Sequence, residues 1–79
     1  MDAIEALVRS LPGEAHRIRR RYWRDPEFRT LCEDYRASLE AAARFESSDP
    51  PCSARAEEYR QLAVELLAEA AAMLGGDRQ

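Results

Sequence analysis

The sequence contains no lysine, one histidine, two cysteines and three glycines, and these scarcities exclude several classes of protein. Cys32 and Cys52 form no C-x-x-C pair and are too few for a disulfide framework, and His16 has no neighbouring set of metal ligands. The longest apolar stretch, LAVELLAEAAAML, carries Glu65 and Glu69 and falls short of the uncharged run of about 20 residues that spans a membrane. We therefore expect no metal, no cofactor and no membrane span.

The charge is carried by twelve arginines and fifteen acids, which gives a net charge of −3. We attribute the absence of lysine to codon usage in a GC-rich genome. The N-terminal stretch MDAIEALVRSLPGEA has acids where a signal peptide has a basic region, so we expect a cytoplasmic location. A chain of 79 residues forms one small domain, residues 1–79, whose core is marginal because it buries only about 60% of the unfolded surface.

The N-terminal part, residues 2–24, has the pattern of a short helical segment. Asp2 can cap a helix, with Glu5 at the spacing of a capping box, and apolar residues then recur at helical intervals up to Leu11. Pro12 and Gly13 interrupt this pattern and are compatible with either a kink or a loop. The pattern resumes and continues to the arginine-rich stretch before residue 25.

Two longer helices are predicted after this segment, over about residues 26–45 and 54–74. Asp25 and Pro26 form a strong start signal, and the loop ESSDPPCS, in which Ser53 can act as a cap, separates the helices. Gly75 and Gly76 suggest a left-handed cap at the end. Two helices of similar length joined by a short loop pack antiparallel, so we expect an all-α fold in which the N-terminal segment packs across a two-helix hairpin.

An arginine-rich face is the most distinctive surface predicted. Residues 1–24 carry six arginines against three acids, whereas residues 25–79 carry six against twelve. The face is opposite the apolar side of its helix, with an indole at the border that we expect to cover the edge of the core. Its members are Arg17, Arg20, Arg21, Arg24 and Trp23.

This face has two interpretations. The arginines are solvated or pair with the Glu58, Glu65 and Glu69 strip of the last helix, in the same or a neighbouring chain. Alternatively, they contact an anionic partner, which could be an acidic protein, a nucleic acid or a lipid surface. The acidic pI of 5.1 argues against a dedicated nucleic-acid-binding protein, and we favour the first interpretation.

No residue pattern indicates catalysis. His16 has arginine neighbours and points away from the apolar face, and no serine or cysteine has an activating motif. Cys32 lies in the apolar stripe, which is typical of a small core residue. Cys52 lies near the loop, about 20 Å along the hairpin from Cys32, so we expect the two thiols not to pair.

At DPEFRTLCEDYRASLEAA and EEYRQLAVELLAEAAAML, the chain resembles the YdcH-like group of small bacterial helical-hairpin proteins of unassigned function. The resemblance covers about residues 12–74 and depends on hydrophobic spacing and on Phe28, Leu31 and Tyr35. It implies a helical hairpin, and it transfers no catalytic or ligand-binding residue.

The last helix predicts self-association. Its apolar surface covers an arc of about 200°, whereas one neighbouring helix typically requires about 100°. Either the N-terminal segment or a second chain must cover the side formed by Leu67, Ala71 and Leu74, and we favour a homodimer. The function expected is that of a non-enzymatic protein-protein interaction module, and the alternative is association with nucleic acid through the Arg17 to Arg24 face.

Overall fold

The chain forms a helical hairpin crossed by two short helices. In the computed structural model, residues 1–76 are described, and within them the elements are four α-helices and one 3-10 turn, with no strand. The helices are α1 (Ala3–Ser10), α2 (Ala15–Arg24), α3 (Pro26–Ser47) and α4 (Ser53–Gly76). The helices α3 and α4 pack along each other, and α1 and α2 pack mainly against α3. The predicted all-α fold is confirmed.

Aspartates start two of the helices. The Oδ1 atom of Asp2 accepts a hydrogen bond from the backbone N–H of Glu5 at 2.7 Å. The Glu5 carboxylate pairs with Arg9 one turn later, at 3.2 Å. The side chain of Asp25 accepts from the backbone N–H groups of Glu27 and Phe28, as expected of a helix N-cap.

The break at Pro12 is a tight turn. A 3-10 turn, Pro12–Glu14, follows Leu11 directly and leads into α2 without a further loop. The backbone N–H of Glu14 donates to the Leu11 carbonyl at 3.0 Å. The two short helices are therefore held close together, and both can pack on α3.

The ends of α3 and α4 differ from the predicted ones. The helix α3 continues to Ser47, and Ser53 is the first residue of α4, while the N–H of Cys52 closes the loop by donating to the Phe45 carbonyl at 2.8 Å. The predicted left-handed cap at Gly75 and Gly76 is wrong, because both glycines continue α4 and neither has a positive φ.

The last turn of α4 is held in place from two sides, which explains why the helix runs through the glycines. Leu74 is buried in the core, with 1% of its surface exposed. The guanidinium of Arg21 donates from Nη1 to the Met73 carbonyl at 3.0 Å.

The core lies at the end of the hairpin that α1 and α2 cross. All four helices contribute to it, and its buried members are Ala3, Ala6, Leu7, Ile18, Phe28, Leu31, Cys32, Tyr35, Ala63, Ala70 and Leu74. Towards the loop, the hairpin consists of α3 and α4 alone, packed through the buried Ala41, Ala42 and Ala56 and through stacked rings of Phe45 and Tyr59, 5.7 Å apart. Because α3 is about 33 Å long and α1 only about 12 Å, much of the hairpin has no third helix over it.

Candidate interaction surfaces

The first candidate site, here called the apolar face, consists of Leu39 on α3 and Val64, Leu67 and Ala71 on α4. It surrounds a groove of about 220 Å³ whose lining also includes Tyr35 and Ala63. Val64 is 59% exposed, Ala71 is exposed, and Leu39 and Leu67 are half-buried. The groove begins where α1 ends: the Ser10 hydroxyl at the end of α1 lies 2.7 Å from that of Tyr35.

Leu74, which the sequence places on the same surface, belongs to the core instead. It lies one turn after Ala70, so both residues share the side of α4 that faces inward. The cluster around them contains Ala3, Ala6 and Leu7 of α1. The N-terminal segment therefore covers the Leu74 end of the predicted surface and leaves the Val64 and Leu67 end open.

An ion pair between the hairpin helices borders the apolar face towards the loop. Arg60 on α4 pairs with Glu46 on α3, and it also pairs with Glu57 at 2.9 Å. Both pairs are largely solvent-exposed, so they add little stability. Arg60 also lines the groove of the apolar face, and the other residues of that lining are uncharged.

The second candidate, the arginine surface, is on α2, which carries five arginines and no acid. Two of the predicted residues, Arg17 and Arg21, pair with acids close to them in the sequence. Arg17 pairs with Glu14 at 2.7 Å, and Arg21 pairs with Asp25 at 3.1 Å. The guanidinium of Arg21 also lies 5.7 Å from the centre of the Phe28 ring.

Asp25 joins the arginine surface to the start of α3. The hydrogen bond from the backbone N–H of Phe28, followed by the interaction with Arg21, holds the pKa of the Asp25 carboxyl below its usual value, although desolvation opposes this shift. The carboxylate therefore stays charged to a lower pH than an ordinary aspartate. It serves at the same time as the cap of α3 and as the partner of Arg21.

Trp23 does not cover the edge of the core, contrary to the expectation from the sequence. It is 72% exposed, and its ring meets that of Tyr22 edge-on at 5.1 Å. Tyr22, one residue earlier and about 100° away around the helix, takes the inward position and packs against the core. The indole instead forms the outer wall of a notch of about 200 Å³ next to the first turn of α1, with Asp2, Ala3 and Ile4.

Arg19 and Arg20 lie about one helical turn before Trp23, four and three residues earlier in the sequence. Both are exposed, and within residues 1–76 neither forms an ion pair. Arg24 is exposed as well. The arginine surface thus combines a solvent-exposed indole with two guanidinium groups, one helical turn before it, that have no partner in the described part of the chain.

The third candidate, the acidic groove, lies between α3 and α4 and was not singled out by the sequence pattern. Its floor consists of Leu31, Leu66 and Met73, and its volume is about 290 Å³. Three acids stand at its rim: Glu27, Asp34 and Glu69. In the part of the chain that the structure describes, none of these three carboxylates has an ion-pair partner.

The acidic groove continues towards the loop as a second depression of about 350 Å³. Leu66 and Asp34 line both, and the larger side chains that the extension adds are Arg44, Tyr59 and Leu62. Leu62 is 42% exposed. Only the assembled hairpin reveals this site, because its acids come from two helices that are distant in sequence.

The buried thiol and the lone histidine do not form a site together. Burial raises the pKa of the Cys32 thiol to about 11, and the charge of Glu33 adds to the shift. His16 is exposed on α2, and Cys52 is a free thiol at the loop. Among the described residues, no group of three or more metal-ligating side chains comes together, and no helix is long and apolar enough to cross a membrane.

Comparison with known proteins adds no assignment. No family model matches the chain, and no curated protein or solved structure matches it. The resemblance to the YdcH-like group stays a prediction that depends on Phe28, Leu31 and Tyr35. Any statement about function therefore depends on the three surfaces described above.

Proposed function

We propose that this chain is a small, non-enzymatic protein-protein interaction module that self-associates through the apolar face. The observation that carries the proposal is the exposure of Val64, at 59%, in a surface that continues the core of the hairpin. A branched aliphatic side chain in such a place loses contact with water when a second helix covers it, and this stabilises association. The resemblance to small bacterial hairpin proteins supports a bacterial module.

The order of side chains along α4 favours a two-fold symmetric dimer. The bulky residues of the apolar face, Val64 and Leu67, precede the smaller Ala68 and Ala71 along the helix. When two copies of α4 pack antiparallel, the bulky residues of one copy lie opposite the small residues of the other. The two hairpins then form a four-helix core, which is a common arrangement for helices of this length.

The first prediction tests this face with Val64→Glu. Val64 is largely exposed in the single chain, so the variant should fold, but a dimer would bury the new carboxylate without a partner. We expect the dissociation constant of the dimer to rise by about tenfold or more, which corresponds to about 1.4 kcal/mol. Sedimentation equilibrium over a concentration series measures this change, and circular dichroism confirms that the helices are retained.

The matched control is Glu65→Gln, next in sequence but on the exposed strip of α4, which should leave the measured mass unchanged. Leu67→Glu should weaken the dimer in the same way as Val64→Glu. A chain that stays strictly monomeric at high micromolar concentration contradicts the proposal. Association whose dissociation constant is left unchanged by both Val64→Glu and Leu67→Glu contradicts the assignment to the apolar face.

A further inference from the structure

Two surfaces of this chain are complementary to each other. Trp23 is an exposed indole, and the unpaired Arg19 and Arg20 lie beside it on α2. The acidic groove has the opposite character, with an apolar floor and the unpaired carboxylates of Glu27, Asp34 and Glu69 around it. Exposed tryptophan and arginine are the residue types most enriched at the energetic centres of protein interfaces.

We propose that Trp23 of one copy docks into the acidic groove of a second copy. The indole lies on the floor of Leu31, Leu66 and Met73, where it leaves water. Arg19 and Arg20 then meet the carboxylates at the rim, and guanidinium groups bind carboxylates with strong, charge-assisted hydrogen bonds. A single contact thereby gives partners to both sets of charges.

The contact must form between two copies. The notch beside Trp23 is lined by Asp2, Ala3, Ile4 and Tyr22, whereas the acidic groove is lined only by α3 and α4, and no residue belongs to both linings. The helix α2 is joined to α3 through Asp25 alone and is held by the hydrogen bond of Arg21 to Met73. A chain cannot turn its own Trp23 into its own groove without unfolding this junction.

A second copy fits the arginine surface better than a nucleic acid does. The whole chain has a net charge of −3, and a nucleic acid would leave its acids without partners, whereas a second copy brings guanidinium groups to them. Two arginines of α2, Arg17 and Arg21, are already paired with Glu14 and Asp25, so the unpaired charge is confined to a short patch. The second copy also accounts for the apolar floor and the unpaired acids of the groove.

The docking joins two different patches, so it is either made twice, once in each direction, in a two-fold pair, or repeated head to tail from copy to copy. It rests on the proposed self-association but not on the apolar face. A chain that carries Val64→Glu should therefore still associate through Trp23 and the groove. This background isolates the docking contact.

The experiment uses two variants of the Val64→Glu chain, each lacking one half of the contact. The first combines Arg20→Ser with Trp23→Ser, and the second combines Asp34→Lys with Glu69→Lys. Each should raise the dissociation constant by about tenfold or more when alone. Mixed in equal amounts, they should form a 1:1 complex, because the intact Trp23 of the second variant docks into the intact groove of the first.

The matched control is Glu33→Lys with Glu65→Lys, which makes the same charge change on exposed residues outside the groove and should associate like the parent. Sedimentation equilibrium reports the mass in every case. The association of the parent should also weaken between about 0.05 M and about 1 M salt, because its charges are screened.

Several outcomes overturn the inference. One is a mixture of the two variants that stays at the monomer mass, and another is a Val64→Glu parent that does not associate. In a third outcome, the Arg20→Ser, Trp23→Ser variant loses binding to a labelled single-stranded DNA oligonucleotide while its self-association is unchanged. That result would assign the arginine surface to nucleic acid. If the unmodified chain is monomeric throughout, the proposed function fails as well. If Val64→Glu alone reduces the chain to the monomer mass, the proposed function stands and only the inference fails.

Discussion

Cys32 is fully buried in the first half of α3 and belongs to the core, to which all four helices contribute. Its thiol has a pKa raised to about 11, mainly through burial, so it is protonated at neutral pH and is a poor nucleophile. Cys52 is partly exposed near the hairpin loop. The two cysteines therefore report on different parts of the molecule.

We predict that iodoacetamide labels Cys52 in the native protein at about pH 8 and that Cys32 reacts only after denaturation. Peptide mass spectrometry on samples taken over time measures both rates in the same tube. The denatured chain is the control, since both thiols should then react at similar rates. Equally fast labelling of the two in the native protein would contradict a closed core around α3.

Single residues show how far the sequence determines burial. Phe28, Leu31 and Tyr35 share one face of α3, and all three are buried as their spacing indicates. Trp23, which we expected at the edge of the core, is exposed, and Leu74, which we expected on the dimer face, is buried. Their helical phase is compatible with either place, and the outcome depends on where α1 and α2 lie across the hairpin, which no local pattern contains.

Among the elements, the C-terminal end of α4 departs most clearly from its sequence signal. A pair of glycines commonly ends a helix in a left-handed turn. In this chain, both continue the helix, and a Cβ atom at Gly75 would meet nothing within 4 Å apart from its chain neighbours and the backbone of its own helix. The tertiary contacts of Leu74 and Met73 outweigh the preference of the local sequence.

We predict that Gly75→Ala raises the free energy of unfolding by about 0.5–1 kcal/mol, because alanine loses less backbone entropy than glycine on entering a helix. Urea unfolding followed by circular dichroism measures the difference. The reciprocal variant Ala72→Gly, at an exposed position in the same helix, should lower the free energy of unfolding by a similar amount. Destabilisation by Gly75→Ala would indicate a left-handed conformation at this position.

The starts of the helices are easier to predict from the sequence than the surfaces that the helices form together. Asp25 and Pro26 mark the beginning of α3, because a carboxylate that accepts backbone N–H groups and a residue without an N–H both suit a first helical turn. The width of the apolar arc on α4 also follows from the sequence. The acidic groove does not, since Glu27 and Asp34 on α3 meet Glu69 on α4 only once the register of the hairpin is known.

At the scale of the whole molecule, the hairpin is longer than the helices that cross it. The structure extends 47 Å along its longest axis and about 20 Å across. The shared core occupies the end near Phe28 and Leu74, whereas the loop end consists of two helices in contact through alanines. The stability of the single chain therefore depends on the crossed end, and the exposed part of α4 remains for contacts between molecules.

Substitutions at Leu74 and Val64 distinguish the stability of the single chain from association between copies. Leu74→Ala should lower the free energy of unfolding by about 2–5 kcal/mol, because it leaves a cavity in the shared core. This is a large fraction of the roughly 5–10 kcal/mol expected for a domain of this size, and the loss should also be seen at protein concentrations too low for association. Val64→Ala, at an exposed position, should leave the stability at low concentration nearly unchanged and should lower only the additional stability gained at high concentration. Urea unfolding at low and at high micromolar protein measures both effects. If Leu74→Ala left the low-concentration stability unchanged while reducing association, Leu74 would belong to the interface between copies, as its sequence pattern suggests, and the N-terminal segment would not cover it in solution.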